Sequence, residues 1–400
     1  MILVLTLAAS ACTAASADAP AVIADLAEDD AGSGTDGPVG RSIRADSTDS
    51  SDRTEDGAAM ADESATAEVS GQSAPQPDAP PADAADDGAG PAPRVASGGA
   101  GRGMGRQVAS DGTPTFDGDF ADPDLLHHDG TYYAYATNTM FINVPVLSAS
   151  PGERSRLVGD ALPDLPAWSE PHHVWAPSVT SVGETFVLHY ATRHAASGRQ
   201  CISVAVADDP AGPFVDESDG PLVCPLDQGG AIDPSVVADG DDLWLLWKSD
   251  GNCCGLPTVI FAQPLGADGT TLDGAATELI RNDRSWERDV VEAPSMIEVD
   301  GRWHLFYSAN RWDTTAYAVG HAVCESVIGP CVKDAEPWLT STAATSGPGG
   351  LEVIELPDLP RDVVVYHGWT GDQVGYPDGA RALYARLLRW VDGRPVLVGD

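Results

Sequence analysis

Three carboxylates stand at the same place in an internal repeat of this sequence. Asp122 and Asp233 each precede a proline, and Glu292 lies two residues before one, at the head of an apolar strand-like run. Carboxylates that come together raise the pKa of at least one member, which is what a general acid needs. The three residues are therefore candidates for acid–base hydrolysis. The alternative is that they are turn or strand-entry residues that cap the repeat units.

The repeat is marked by five prolines that recur every 54 to 60 residues: Pro123, Pro177, Pro234, Pro294 and Pro348. After each proline, a glycine-containing turn leads into an alternating strand, and no segment has the pattern of an amphipathic helix. A period of this length with several strands per unit predicts an all-β, five-bladed β-propeller. The first strand of each blade would lie nearest the axis, so the three carboxylates would converge on a central funnel.

The first 111 residues differ in composition from the rest of the chain. No Phe, Trp or Tyr occurs before Phe116, and residues 13–111 are rich in Ala, Asp, Ser, Gly and Pro. Such a segment cannot bury enough apolar surface to offset chain entropy, so it is predicted to be a disordered acidic linker. The propeller domain is then expected over residues 112–400.

The charge of the chain excludes some partners. The formal net charge is −39, of which residues 1–110 contribute −12 from 18 acidic and 6 basic side chains. The remaining −27 belongs to the predicted domain. A surface of this charge repels nucleic acid and anionic membranes and suits a soluble protein that acts on a neutral substrate. We expect a monomer.

Residues 1–12 are apolar and end in Ala-Ser-Ala-Cys, which is typical of the end of a secretory signal. The small residues before Cys12 resemble a bacterial lipobox, in which the cysteine becomes lipidated. The alternative is an ordinary signal peptide with a coincidental cysteine. Either way the expectation is an exported protein, secreted or anchored by lipid at the extracellular face of a bacterial membrane.

Six cysteines remain beyond Cys12, an even number in a chain expected to be exported, which favours disulfide bonds. The predicted pairs are Cys324–Cys331 across a short turn, Cys201–Cys224 in neighbouring strands, and the adjacent Cys253–Cys254. The alternative is that all six are reduced, buried thiols. A zinc site is not favoured, because no CxxC spacing or paired histidine motif accompanies them.

Four phrases around the prolines resemble glycoside hydrolase family 43: Phe-Ala-Asp122-Pro-Asp, Val-Trp175-Ala-Pro-Ser, Ala-Ile-Asp233-Pro-Ser and Val-Glu292-Ala-Pro-Ser. The stretches 247–255 and 322–331 are also similar to members of that family. The resemblance implies a five-bladed propeller and hydrolysis with inversion. By motif it implies Asp122 as general base, Glu292 as general acid and Asp233 as the residue that tunes the acid's pKa and orients the sugar.

The family's usual substrates imply α-L-arabinofuranosides and β-D-xylosides of plant cell-wall polysaccharides. Six residues are candidates for contacts with such oligo- or polysaccharides: Trp175, Phe141 and Trp312 as aromatic faces, Lys248 and Arg311 as donors to sugar hydroxyls, and His367 as a substrate or water contact. For Trp175 the alternative is blade packing, and for His367 a structural hydrogen bond.

The sequence departs from the family at one position of the fifth unit. Many members carry a histidine after Gly-Pro-Gly that helps hold an axial metal or water cluster, and Gly350 stands there in this chain. An axial calcium is therefore not expected, and no other cofactor is.

The first hypothesis is an exo-acting α-L-arabinofuranosidase, with a β-xylosidase or arabinanase of the same fold as the alternative. A non-catalytic sugar-binding propeller would be favoured by loss of a funnel carboxylate, and all three are present. A retaining fructan-type hydrolase would need a motif such as Trp-x-x-Asp-Pro-Asn-Gly, which the phrase around Asp122 lacks. Arabinose or xylose specificity, and exo or endo cleavage, stay open.

Overall fold

The computed structural model of the chain describes residues 112–150, 153–355, 362–370 and 373–398. The predicted signal segment with Cys12 and the predicted linker over residues 13–111 lie outside the described residues. The described part consists of five antiparallel sheets arranged as a five-bladed β-propeller, which confirms the predicted fold. Its helical elements are two short 3-10 helices, Leu226–Gln228 and Gly251–Cys254. None of the helices described there is long and apolar enough to cross a membrane.

Each blade is a meander whose strands pair in chain order. Blade one contains β1 Asp124–His128, β2 Thr131–Tyr135, β3 Pro145–Ala149 and β4 Arg156–Asp160. Blade two contains β5 Ser169–Val182, β6 Thr185–His194 and β7 Arg199–Ala207. Blade three contains β8 Ala231–Asp239, β9 Asp242–Ser249, β10 Val259–Leu265 and β11 Thr277–Arg281. Blade four contains β12 Val291–Val299, β13 Arg302–Ala309, β14 Ala318–Cys324 and β15 Cys331–Lys333. Blade five contains β16 Thr345–Ile354, β17 Asp362–Thr370, β18 Arg381–Val391 and β19 Arg394–Leu397.

Asp-Gly pairs form the tightest hairpins. Asp129-Gly130 joins β1 to β2, and Asp300-Gly301 joins β12 to β13; both residues of each pair have positive φ. Two positive φ values in a two-residue loop define the type I′ turn, whose twist matches that of the strands. These hairpins return the chain at the ends of β1 and β12 that lie away from Asp122 and Glu292.

The hydrophobic core consists of five clusters among the described residues, and each lies at an interface between neighbouring blades. Between blades three and four, for example, Leu246 and Ile260 pack against Val291 and Leu305, all four less than 1% exposed. Each sheet is therefore apolar on both faces, because each is covered by a blade on either side.

The ring is closed by the segment that precedes blade one. The amide of Thr115 and the amide of Phe120 donate to the carbonyls of Leu383 and Arg381, at 2.7 and 2.8 Å. Residues 115–120 therefore extend the outer edge of β18 in the last blade before the chain enters the first blade. The closing segment places its residue Asp119 next to β18.

Each inner strand changes conformation at its repeat proline. The residue before the proline has a positive φ in every blade: Asp122 50°, Ala176 44°, Asp233 55°, Ala293 49° and Gly347 54°. The register of blades two to five is interrupted at the same place. Such a bulge re-aims side chains and often lies next to an active site. It turns the heads of the inner strands toward the axis.

Side chains just after the prolines connect neighbouring inner strands, which do not pair with each other. Oδ2 of Asp124 accepts the amide of Val179 at 3.0 Å, and Oγ of Ser295 accepts the amide of Val353 at 3.0 Å. In the phrase Asp122-Pro123-Asp124, the second carboxylate therefore belongs to this connection between blades.

Candidate active site

The residues around the repeat prolines bring the three predicted carboxylates together at one end of the axis. Asp122 and Asp233 line the axial cavity, together with the backbone around Ala293 and Gly350. The charges of both Glu292 and Asp122 act on the carboxyl of Asp233. The convergence predicted from the repeat is therefore present in the structure.

Asp122 is surrounded by groups that favour its ionised form. Thr137 donates its hydroxyl to Oδ2 at 2.6 Å, and a guanidinium nitrogen of Arg381 lies 3.5 Å from the same oxygen. Burial by itself would raise the pKa of Asp122, but Arg381, His367 and Thr137 together hold it below its ordinary value. Asp122 is thus a carboxylate throughout the neutral range.

Glu292 is held by two donors from neighbouring strands. Nζ of Lys248 donates to Oε2 at 3.0 Å, and the hydroxyl of Tyr317 donates to Oε1 at 2.8 Å. Lys248 is fully buried and also lies 3.7 Å from Oδ1 of Asp250. Burial disfavours the charged form of Lys248, yet its pKa is raised by the carboxylates of Glu292, Asp233 and Asp250. The two donors fix the orientation of the Glu292 carboxyl.

Asp233 differs from Asp122 in its electrostatics although both occupy the same bulge position. Its Oδ2 accepts the amide of Ala293 at 2.8 Å. Burial and then the charge of Glu292 raise the pKa of Asp233 to about 8, against the opposing effect of Lys248. Asp233 therefore retains a proton at neutral pH, while Asp122 does not. A protonated carboxyl facing an ionised carboxylate is the arrangement that acid–base hydrolysis requires.

His367 lies directly beneath Asp122. Its Nδ1 accepts the amide of Asp122 at 2.9 Å, so the other ring nitrogen carries the proton, and the ring stacks on Tyr317 with centroids 5.9 Å apart. Burial lowers the pKa of His367 to about 3, so the ring is neutral. Nδ1 also lies 3.3 Å from Oδ1 of Asp122, so His367 contacts both the backbone and the carboxylate of that residue.

The other predicted substrate contacts differ in exposure and in their place in the fold. Trp175 precedes Ala176 as Glu292 precedes Ala293, so the two side chains occupy equivalent positions in different blades. Trp312 is 40% exposed and Phe141 is 87% exposed, both on loops. Arg311 is exposed and forms a two-point ion pair with Asp313 at 3.0 and 2.7 Å.

Two residues of the site were not predicted from the sequence. Arg381, at the start of β18, contacts Asp122, and Tyr317, just before β14, contacts Glu292. Arg381 opens an otherwise apolar run, Ala382-Leu383-Tyr384, and a charged residue at the head of a buried strand was the available signal. Tyr317 carried no signal, since a tyrosine beside a strand is ordinary in a β-protein.

At Gly350 the structure offers no side-chain ligand for the axial calcium of the resembling family. Gly350 has no ligand atom in its side chain, and an added Cβ would lie 2.6 Å from Nδ1 of His367 and 2.9 Å from Oδ1 of Asp122. Its φ of 55° is also one that glycine adopts without strain. The space beside the Cα of Gly350 is therefore occupied by His367 and Asp122.

The structure places the cysteines of each predicted pair next to each other. The Cα atoms are 4.7 Å apart for Cys201 and Cys224, and 3.9 Å apart for Cys324 and Cys331. The adjacent Cys253 and Cys254 lie in the loop after β9, and Nη1 of Arg199 contacts both sulfur atoms. Covalent bonding in all three pairs stays a prediction.

Comparison with known proteins gives consistent matches over the propeller. The sequence model described as "Glycosyl hydrolases family 43" matches residues 112–395. The chain is 25% identical over 279 residues to the β-D-galactofuranosidase xynD of Aspergillus niger, which covers 64% of this chain and 76% of the relative. It is 26% identical over 300 residues to a probable arabinan endo-1,5-α-L-arabinosidase C of the same species, covering 69% and 91%. The crystal structure of a thermostable family-43 glycoside hydrolase superposes with a TM-score of 0.64 at 27% identity, covering 70% of this chain and 93% of that one.

Proposed function

The chain belongs to family 43 of the glycosyl hydrolases, and we propose that it is an exported, inverting, exo-acting α-L-arabinofuranosidase. It is a glycoside hydrolase, so the proposal concerns its substrate, its stereochemistry and the roles of its residues. The observation that carries the proposal is the contrast between Asp122, whose pKa is lowered, and Asp233, whose pKa is raised to about 8.

In the proposed reaction, Asp122 takes a proton from a water molecule, and the water oxygen attacks the anomeric carbon. The glycosidic bond breaks as Glu292 gives its proton to the leaving oxygen, so the product has the opposite anomeric configuration. Lys248 and Tyr317 orient the Glu292 carboxyl. Asp233 lies next to both carboxylates. It helps to keep a proton available to Glu292, and it positions the sugar. Trp175, Trp312 and Phe141 are proposed as aromatic contacts, with Arg311 at the rim.

The preference for a furanoside is supported by the names of two relatives, a β-D-galactofuranosidase and an arabinan endo-1,5-α-L-arabinosidase. Both names denote enzymes that act on five-membered sugar rings. The alternatives are a β-xylosidase and an arabinanase, since family members act on xylosides and on arabinan chains.

Substrate choice can be tested with aryl α-L-arabinofuranoside, β-D-xylopyranoside and β-D-galactofuranoside, together with linear arabinan and arabinoxylan. We expect the highest kcat/KM on the arabinofuranoside and release of single arabinose units from polymers. Oligomers as the first products of arabinan would contradict exo action, and faster cleavage of the xyloside would replace the proposal with the alternative.

The mechanism can be tested by proton NMR of the first sugar formed and by three substitutions. Asp122→Asn should lower kcat by about 10²–10⁴, the range for general base catalysis. Glu292→Gln should impair substrates with poor leaving groups much more than activated aryl glycosides, because only the former need protonation. Asp233→Asn should lower kcat/KM with little dependence on the leaving group. A strong leaving-group dependence in Asp233→Asn instead of Glu292→Gln would reverse the two roles, and retention of configuration would overturn the mechanism.

Export and lipid attachment are proposed from residues 1–12 alone. Expression of the full chain in a bacterium that processes lipoproteins, followed by membrane fractionation, tests the proposal. We expect the wild type in the membrane fraction and Cys12→Ala in the soluble exported fraction. Equal distribution of the two proteins would contradict the anchor. Light scattering of the purified enzyme checks the proposed monomer.

A further inference from the structure

Arg381 forms a second layer behind the carboxylate of Asp122. Its side chain is only 10% exposed, and Nη1 lies 3.5 Å from Oδ2 of Asp122. The guanidinium lies 4.8 Å from the ring centroid of Trp312 and 5.8 Å from that of Tyr376. A guanidinium stays charged at every pH a protein experiences, so its effect on Asp122 depends on its position alone.

Two residues outside the carboxylate cluster fix that position. Oδ1 of Asp119 accepts the backbone amide of Arg381 at 3.0 Å and the hydroxyl of Tyr376 at 2.7 Å. Nε of Arg381 in turn donates to the Tyr376 hydroxyl at 3.2 Å. Asp119 belongs to the segment that closes the ring, and Tyr376 belongs to the loop before β18. Backbone and side chain of Arg381 are thus both tied to Asp119, directly and through Tyr376.

We propose that Asp119 and Tyr376 are positioning residues that hold Arg381 against Asp122 and thereby set the acidic limb of the enzyme's pH profile. This inference rests on the proposed role of Asp122 as general base. It links the contact that closes the propeller ring, through Asp119, to the pH range in which Asp122 is ionised.

The other groups around Asp122 do not offer an equivalent means of control. His367 is neutral because burial lowers its pKa to about 3, and burial keeps the pKa of Tyr317 well above its ordinary value. Thr137 is uncharged, and Asp233 is protonated over most of the neutral range because its pKa is about 8. Among the described neighbours of Asp122, Arg381 is therefore the permanently charged group that opposes its protonation. Movement of Arg381 away from Asp122 would raise the pKa of the base.

The decisive variant is Tyr376→Phe, which keeps the ring beneath Arg381 and removes only the hydroxyl. Asp119→Asn is the second variant, because it removes the charge of the acceptor but keeps its shape. The matched control is Tyr190→Phe, which removes a similar 2.7 Å hydrogen bond from a tyrosine to Asp216 in blade two. The profile of kcat/KM against pH is measured for each, with circular dichroism to establish folding.

We expect the acidic limb of Tyr376→Phe and of Asp119→Asn to move to higher pH, while the plateau changes little and Tyr190→Phe matches the wild type. Each pH unit of movement corresponds to about tenfold lower kcat/KM below the limb. An unchanged limb in both folded variants, with Asp122→Asn inactive, would overturn this inference and leave the base assignment intact. Activity of Asp122→Asn would instead overturn the proposed function itself. A purely structural role would lower the plateau or the melting temperature without moving the limb.

Discussion

Replacing Asp124 with asparagine should change how the stability of the propeller depends on pH. Asp124 is 6% exposed, and its Oδ2 accepts the amide of Val179 across the interface between blades one and two. Burial raises the pKa of Asp124 from 3.8 to about 7. The carboxyl of Glu352, whose pKa is also raised by burial and by Asp124, lines the same axial cavity.

The sign follows from linkage between protonation and folding. The folded state binds the Asp124 proton more tightly than the unfolded state does. The corresponding stabilisation is fully present below pH 3.8 and is lost as the pH rises through about 7. The difference between those two values corresponds to ~4 kcal/mol in the free energy of unfolding. Glu352 and Asp233 act in the same direction, so the wild type should be more stable at pH 5 than at pH 8.

Asp124→Asn keeps an oxygen that accepts the Val179 amide but cannot ionise. We expect its free energy of unfolding to exceed that of the wild type by ~1.5 kcal/mol at pH 5 and by up to ~4 kcal/mol at pH 8. Denaturant titrations at the two pH values measure the difference. Asp129→Asn is the control, because its side chain is 92% exposed and a surface change should stay within about 0.5 kcal/mol.

A loss of stability between pH 5 and pH 8 as steep in Asp124→Asn as in the wild type would refute a role for ionisation of Asp124. Equal destabilisation of the variant at pH 5 and pH 8 would also refute it. The geometry of the hydrogen bond to Val179, and not the ionisation of Asp124, would then determine the change in stability.

Three further predictions concern the site and its surroundings. Lys248→Met should lower the free energy of unfolding by ~3–5 kcal/mol, because the carboxylate of Glu292 would stay buried without its cation. Urea titration at pH 7 measures this difference, and a change below about 1 kcal/mol would contradict the prediction. Gly350→Ala should reduce kcat/KM by about tenfold or more, because the added methyl group would displace His367 and Asp122. EDTA should leave the wild-type rate unchanged. Loss of activity in EDTA that calcium restores would refute the expectation for EDTA. Peptide mapping without reduction should find the pairs Cys201–Cys224, Cys324–Cys331 and Cys253–Cys254, and free thiols at all six positions would refute them.

The sequence by itself determined the fold and the location of the site. The recurrence of prolines every 54 to 60 residues and the alternating strands between them specify five similar sheets. Local chemistry helps to fix the units, because the Asp-Gly pairs Asp129-Gly130 and Asp300-Gly301 form type I′ turns between their strands. Asp122, Asp233 and Glu292 could be placed on one funnel since identical positions of a repeat converge when the units are arranged around an axis.

The tertiary structure decided which charges surround these carboxylates. Asp122 and Asp233 both precede a repeat proline and both have a positive φ, yet Arg381 lowers the pKa of one while burial and Glu292 raise that of the other. Arg381 is 259 positions from Asp122 in the chain, and Lys248 is 44 positions from Glu292. Electrostatic interaction depends on distance in space and on burial, and neither quantity is encoded near the residue that it affects. Residues 115–120 contact β18 at Arg381 where they close the ring, and that contact exists only in the folded propeller.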